Sequence, residues 1–139
     1  MAKEKILIID DDDDQVQAMR LPLEFAGYNV FRASSADEGL RQVKQINPDL
    51  IILDVMMETT TAGFQISLAL RSPDQKSEYA PYKYIPILML TAIHSTTPIR
   101  FSPDPDYLPV DAFLEKPIDP DDLLIQVHSH LNKSIHPKA

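Results

Sequence analysis

The sequence of 139 residues contains no cysteine, which excludes disulfides, thiol catalysis and cysteine-based zinc sites. Glycine is nearly as scarce. The three glycines, Gly27, Gly39 and Gly63, lie too far apart for a GxGxxG turn or a GxxxxGK loop. Dinucleotide sites and P-loop nucleotide sites are therefore poorly supported.

Long apolar runs are missing as well. No run approaches the ~18 uninterrupted residues that a membrane span requires. The first five residues, MAKEK, are polar, and the apolar run that follows them is too short for a secretory signal. We therefore expect a cytoplasmic protein with no membrane partner.

Positive charge is in short supply. The chain has 13 lysine and arginine residues against 21 aspartate and glutamate residues, which gives a formal net charge of -8. A field of this sign repels phosphate backbones, so the sequence shows no electrostatic footprint for nucleic acid. We expect no nucleic-acid partner.

What the sequence does contain is an alternation of strand and helix patterns. Predicted strands begin at residues 6, 28, 49, 85 and 111, and residues 6–9 are continuously apolar, which is typical of a strand buried on both faces. Residues 14–27, 35–48, 62–71 and 119–133 have helical spacing. This order predicts one α/β domain with a parallel sheet and helices on both faces.

The turn residues refine this prediction. Gly27 is placed as the stop of the first helix, and Ser35 with Glu38 forms a capping box at the start of the second. A fourth helix is due in residues 94–109, but that stretch carries four prolines, and each interior proline costs a helix about 3 kcal/mol. We expect a short helical turn or a proline-rich loop there.

The most unusual stretch is the run of five aspartates at residues 10–14, directly after an apolar strand. If the strands lie side by side, their carboxyl ends bring together Asp10, Asp11, Asp54, Thr91 and Lys116. Three close carboxylates without a counter-charge form an oxygen site suited to Mg²⁺. Asp13 and Asp14 are expected at the positive end of the first helix, which favours negative charge, and Asp12 is expected to be a spare, solvated charge. The four histidines are expected at the surface.

This constellation resembles the receiver domain of bacterial response regulators, and the resemblance covers the whole chain. The matching residues are Asp10 and Asp11 after ILII, Asp54 in LIILDVMM, Thr91 and Ala92 in LMLTA, and Phe113, Lys116 and Pro117 in DAFLEKP. The resemblance implies a single receiver domain over residues 1–139, with a core at about 4–132 and a short C-terminal tail. It also implies a flavodoxin-like, five-stranded parallel sheet with strand order 2-1-3-4-5.

The same resemblance implies roles for these residues. Asp54 would accept a phosphoryl group from a histidine kinase or a histidine phosphotransfer protein. Mg²⁺ would be held by Asp10, Asp11, Asp54 and the main-chain carbonyl of Met56. Thr91, Ala92, Phe113 and Lys116 would bind the phosphoryl group and switch the surface, and Pro117 is the candidate for a cis peptide. The protein is then a signalling domain whose only chemistry is its own phosphoryl transfer and dephosphorylation.

The sequence departs from the family after Asp54. The usual pattern is close to MPxMDG, whereas MMETTTAG lacks the proline and the aspartate, which bears on dephosphorylation rate and partner contacts more than on Mg²⁺. A pseudo-receiver that binds partners without phosphorylation is one alternative. A haloacid dehalogenase-like phosphatase is another, but its motif requires threonine or valine where Asp14 stands. Because the sequence ends shortly after its last predicted helix, we expect the signal to pass to another protein.

Overall fold

The computed structural model describes residues 4–54, 69–70, 76, 79–82, 85–91, 112–115 and 119–134. Five parallel strands form one sheet in the order β2-β1-β3-β4-β5, which confirms the predicted flavodoxin-like topology. The strands are β1 (Lys5–Ile9), β2 (Asn29–Ala33), β3 (Leu50–Asp54), β4 (Ile87–Thr91) and β5 (Ala112–Glu115). The described helices are α1 (Asp13–Phe25), α2 (Ala36–Ile46) and α3 (Pro120–Ser134), with a short 3₁₀ helix at Ala80–Tyr82.

The sheet is buried on both faces because residues 6–9 of β1 and residues 50–53 of β3, its central strands, are all apolar. Alternate residues of β1 point to opposite faces, so that Leu7 and Ile9 join one core cluster while Ile6 and Ile8 join the other. The first cluster receives Val43 from α2. The second receives residues from the two other helices: Val16, Met19 and Leu23 of α1, and Leu123, Val127 and Leu131 of α3. This arrangement holds the strand ends at a fixed spacing.

Helix α1 begins within the aspartate run. The Oδ1 atom of Asp12 accepts hydrogen bonds from the backbone N–H groups of Asp14 at 3.0 Å and Gln15 at 3.2 Å. The expectation that Asp12 is only a solvated charge is therefore wrong, because it is the N-cap that satisfies free donors of the helix start. Asp13 and Asp14 occupy the first turn, where the helix dipole favours negative charge, as predicted.

The predicted end of α1 and the predicted start of α2 are also found. Gly27 follows the end of α1 with a φ of 102°, a conformation that favours glycine. Ser35 caps α2 through its Oγ, which accepts from the N–H of Glu38 at 3.2 Å. The Glu38 carboxylate reaches one residue further back than a standard capping box and accepts from the N–H of Ser34 at 2.9 Å. Asn47 ends α2 with a φ of 53°.

Helix α3 begins at Pro120, behind Asp119, whose Oδ1 accepts from the N–H of Asp121 at 3.0 Å. We expected all four histidines at the surface, but one histidine of α3 is buried. His130 is 9% exposed, and its Nδ1 atom is 2.9 Å from the main-chain oxygen of Gln126. A histidine can be buried here because the carbonyl one helical turn earlier provides its ring nitrogen with a hydrogen-bond partner.

Some sequence predictions lie mostly or wholly outside the described residues. Of the predicted third helix, residues 69–70 are described and helical, and Leu70 is buried. The proline-rich stretch at residues 94–109 lies outside the described residues. Within the part of the chain that is described, no helix has the length and apolar character needed to cross a membrane.

Candidate functional site

The carboxyl ends of β1 and β3 bring three aspartates together. Asp54 is the last residue of β3, and Asp10 directly follows β1. These strands are neighbours, with Ile9 opposite Leu53, so both carboxylates reach the same edge of the sheet. One oxygen each from Asp10, Asp11 and Asp54 lies within 4.8 Å of the others. The structure thus assembles the three carboxylates that the sequence placed in one cluster.

Two of the three carboxylates have little contact with solvent. Asp10 is 0% and Asp54 2% exposed, whereas Asp11 is exposed. Two unit charges about 5 Å apart repel each other by roughly 3 kcal/mol at an effective dielectric constant of about 20. Three negative charges in such a cluster are therefore energetically costly unless a cation lies close to them.

The surroundings of Asp10 show this electrostatic conflict directly. The pKa of the Asp10 carboxyl is raised from an ordinary value of 3.8 to about 6, mainly because the group is buried and also because the charge of Asp54 is near. Two hydrogen bonds act in the opposite direction, because the N–H of Asp12 donates to Oδ1 at 2.9 Å and the Gln15 side-chain amide donates to Oδ2. The hydrogen bonds do not fully offset the cost of burial.

The cluster fits a hard divalent cation. Its three donors are carboxylate oxygens, the type that Mg²⁺ prefers, and the exposed Asp11 opens the group to solvent.

Two further residues support the cluster, and sequence reasoning missed both. Arg32 donates its Nε–H to the main-chain oxygen of Asp10 at 3.1 Å, and its Nη1 lies 2.7 Å from Oδ1 of Asp13. Gln15 provides the side-chain amide that contacts Asp10. The signal for Arg32 was a charged residue inside the apolar strand β2. The half-buried Gln15 gave no signal, because a glutamine in the first turn of a helix is ordinary.

Only two of the remaining predicted site residues are among those that the structure describes. Thr91 is the last residue of β4, opposite Glu115 in the sheet, and Phe113 lies in β5 opposite Met89. Thr91 is therefore on the strand next to β3, and Phe113 is one strand further along. Four others, Met56, Ala92, Lys116 and Pro117, lie outside the described residues. Their roles stay predictions.

Comparison with known proteins gives one consistent result. The sequence profile of the response regulator receiver domain matches residues 6–128. This family generally uses Mg²⁺ at an acidic cluster like that of Asp10, Asp11 and Asp54. The chain is 33% identical over 130 residues to the DNA-binding dual master transcriptional regulator RpaA of Synechocystis, covering 94% of this chain and 50% of that protein. It is also 33% identical over 130 residues to the alkaline phosphatase synthesis transcriptional regulatory protein PhoP of Bacillus subtilis, covering 94% of this chain and 49% of that protein.

A solved structure agrees with this. The fold is similar to that of the chemotaxis protein CheY4 of Vibrio cholerae, with a TM-score of 0.73 and 31% sequence identity, over 92% of this chain and 98% of that chain. The likeness therefore extends over nearly the whole of a chemotaxis protein, but over only half of each transcriptional regulator.

These relatives correct one prediction. We expected no nucleic-acid partner, and that prediction is wrong, because relatives of this chain are transcriptional regulators and one is named as DNA-binding. The argument from charge failed for a physical reason. A net charge of -8 describes the field of these 139 residues, and the chain spans about half the length of the curated relatives it matches.

Proposed function

Because the chain belongs to the response regulator receiver domain family, we propose that Asp54 accepts a phosphoryl group from the phosphohistidine of a histidine kinase or a histidine phosphotransfer protein. One observation carries this proposal. Asp54 is the buried carboxylate at the end of the central strand β3, and its oxygen lies within 4.8 Å of oxygens of Asp10 and Asp11. A carboxylate in such a place is a nucleophile able to form a covalent aspartyl-phosphate.

The transfer uses groups of this chain in a simple order. A carboxylate oxygen of Asp54 attacks phosphorus, the phosphorus–nitrogen bond of the donor breaks, and the released imidazole takes a proton from solvent. Lys116 and Thr91 are assigned to phosphoryl oxygens, because both follow or end strands at the same sheet edge. Water later attacks phosphorus, the bond between phosphorus and the Asp54 oxygen breaks, and inorganic phosphate leaves as the Asp54 carboxylate is restored. The domain is thus its own substrate, and its turnover is limited to phosphorylation and dephosphorylation.

We assign Mg²⁺ to Asp10, Asp11, Asp54 and the main-chain oxygen of Met56. When bound, the ion neutralises charge that builds on the phosphoryl oxygens. Both oxygens of Asp10 already accept hydrogen bonds, from the N–H of Asp12 and from Gln15. This supports Asp11 and Asp54 as the direct ligands, with Asp10 acting mostly through water.

Mass spectrometry of the intact protein tests the proposal. After incubation with acetyl phosphate and Mg²⁺, the parent chain should gain the mass of one phosphoryl group. Asp54→Ala should gain none. Asp49→Asn is the matched control, because Asp49 is an exposed carboxylate just before the opposite end of the same strand. It should be labelled like the parent.

Two outcomes would contradict the proposal. Full labelling of Asp54→Ala would mean that another residue is the acceptor. A parent chain that stays unlabelled, in spite of a normal circular dichroism spectrum, would instead favour the pseudo-receiver.

A further inference from the structure

Arg32, on the edge strand β2, contacts the loop that carries Asp11 on both sides of that residue. Its Nε–H donates to the main-chain oxygen of Asp10 at 3.1 Å. Its Nη1 lies 2.7 Å from Oδ1 of Asp13, the first residue of α1. The Arg32 side chain is 26% exposed, so that most of it is covered. One guanidinium therefore spans the short segment from which Asp11 reaches the acidic cluster.

Arg32 is itself firmly held. In the sheet it is opposite Ile8 of β1. Its main-chain oxygen accepts a hydrogen bond from the side-chain amide of Gln42 on α2 at 2.8 Å. The next residue, Ala33, accepts from the N–H of Asp10 at 2.9 Å. The end of β2 is thus a fixed support from which the guanidinium reaches the loop.

We propose that Arg32 is a positioning residue for Asp11. By holding the carbonyl of Asp10 and the carboxylate of Asp13, it fixes the backbone on either side of the exposed ligand. This inference rests on the proposed function, since it requires that a divalent cation binds at Asp11 and Asp54. It goes beyond that function because it assigns part of the affinity for the metal to the Arg32 side chain, which lies on a strand that supplies no metal ligand.

Charge and positioning predict opposite effects of removing this arginine. The guanidinium is a positive charge beside the cluster, so an effect of charge alone would make the site more negative and Mg²⁺ binding tighter in Arg32→Met. Positioning predicts weaker binding, because Asp11 loses its support. Outer contacts that orient metal ligands are typically worth about 10- to 100-fold in metal affinity. The sign of the change therefore separates the two effects.

The experiment is a calorimetric titration of MgCl₂ into the full chain at constant ionic strength. We expect Arg32→Met to raise the Kd for Mg²⁺ about tenfold, and Arg32→Lys, which keeps the charge, to fall between Arg32→Met and the parent. Arg20→Met is the matched control, because Arg20 pairs with Glu24 on the same helix, at 3.0 Å. It should bind like the parent. Urea unfolding without Mg²⁺ should show the parent and Arg32→Met equally folded at the titration conditions.

If Arg32→Met binds Mg²⁺ as tightly as the parent, or more tightly, the inference is overturned. A parent chain that binds no Mg²⁺ overturns it too. If Arg32→Met does not fold, Asp13→Asn and Asp14→Asn decide the question. Each removes one exposed carboxylate from the first turn of α1, and of these two carboxylates it is that of Asp13 that pairs with Arg32. Asp13→Asn should then weaken binding more than Asp14→Asn, and equal losses would overturn the inference.

Failure of this inference differs from failure of the proposed function. A parent labelled at Asp54 whose Arg32→Met variant binds Mg²⁺ normally overturns the role of Arg32 alone. A parent that resists labelling, but whose Arg32→Met variant binds Mg²⁺ less tightly, overturns the phosphoacceptor role alone.

Discussion

At the scale of single residues, the site is defined by a conflict that the fold imposes on Asp10. The residue follows β1 into the interior, where its charged form is poorly solvated, and it lies next to Asp54. Two hydrogen bonds reduce the cost without removing it. An acidic cluster of this kind is suited to binding a cation. Without a bound cation, the cluster should lower the free energy of unfolding.

The pH dependence of stability follows from this conflict. The pKa of Asp10 is about 6 in the folded chain and near the ordinary 3.8 when unfolded. Between these values the folded state binds more protons, so the free energy of unfolding falls as pH rises from about 4 to about 6. We expect Asp10→Asn to raise the free energy of unfolding by about 1 to 3 kcal/mol at neutral pH without Mg²⁺, and by much less near pH 4.

Urea unfolding at several pH values measures this directly. Asp14→Asn is a suitable control, because Asp14 is exposed in the first turn of α1 and should bring no such gain. A gain for Asp10→Asn that is the same near pH 4 and at neutral pH would contradict this account.

The sequence allowed the carboxylates of the site to be predicted, but not their supports. Asp10 and Asp11 follow one apolar run and Asp54 follows another, and the carboxyl ends of parallel strands meet at one edge. Arg32 and Gln15 escaped prediction because their roles depend on which way a side chain points across a strand or helix start. The spacing of residues along the chain does not determine in which direction a side chain points.

At the scale of elements, helix α2 packs tightly against strand β1. A Cβ atom added at Gly39 of α2 would lie 2.7 Å from Cδ1 of Ile9 and 3.1 Å from its Cγ1 and Cγ2. The missing side chain lets the helix approach the strand that leads directly into Asp10. Caps and stops of α2 follow from local rules and were predictable, whereas this contact between distant residues was not.

Gly39→Ala tests this packing. In most helices the change from glycine to alanine adds about 1 kcal/mol of stability. Here overpacking against Ile9 costs roughly 1 to 3 kcal/mol, so we expect a net loss in the free energy of unfolding. Ile9→Val removes the Cδ1 atom that lies nearest. Gly39→Ala should therefore cost less in an Ile9→Val background, and chemical denaturation of the four proteins measures the difference. A stabilising Gly39→Ala in the parent would show that the contact relaxes without cost.

At the scale of the whole molecule, the central strands of the sheet hold the site in place, and we expect the edge at β5 to respond to phosphorylation. β1 and β3 are buried in the centre, whereas β5 is an edge strand. Of this architecture, the alternation of elements was predictable from hydrophobic pattern. The strand order came from family resemblance, because pattern alone does not say which strands are neighbours. The prediction of no nucleic-acid partner failed, because the charge of this segment gives no information about the longer proteins that contain similar segments.

The route of the signal is a prediction at this scale. A bound phosphoryl group adds about two negative charges at neutral pH, enough to draw the hydroxyl of Thr91 towards it. We expect Phe113, on the strand paired with β4, to follow. With a beryllofluoride mimic of the phosphoryl group, amide hydrogen exchange should therefore change mainly between residues 91 and 114, while β1 stays protected. Phe113→Ala should abolish the change beyond β4. Unchanged exchange in the parent, or a normal response in Phe113→Ala, would rule out this route.

The central claim is that one carboxylate, Asp54, receives the phosphoryl group among several close neighbours. The most direct test is to label the chain with acetyl phosphate and Mg²⁺, trap the acyl phosphate by borohydride reduction, digest the protein and locate the modified residue by fragment mass spectrometry. Our account predicts modification at Asp54, with the five aspartates of residues 10–14 intact. Modification within residues 10–14, with Asp54 intact, would contradict it.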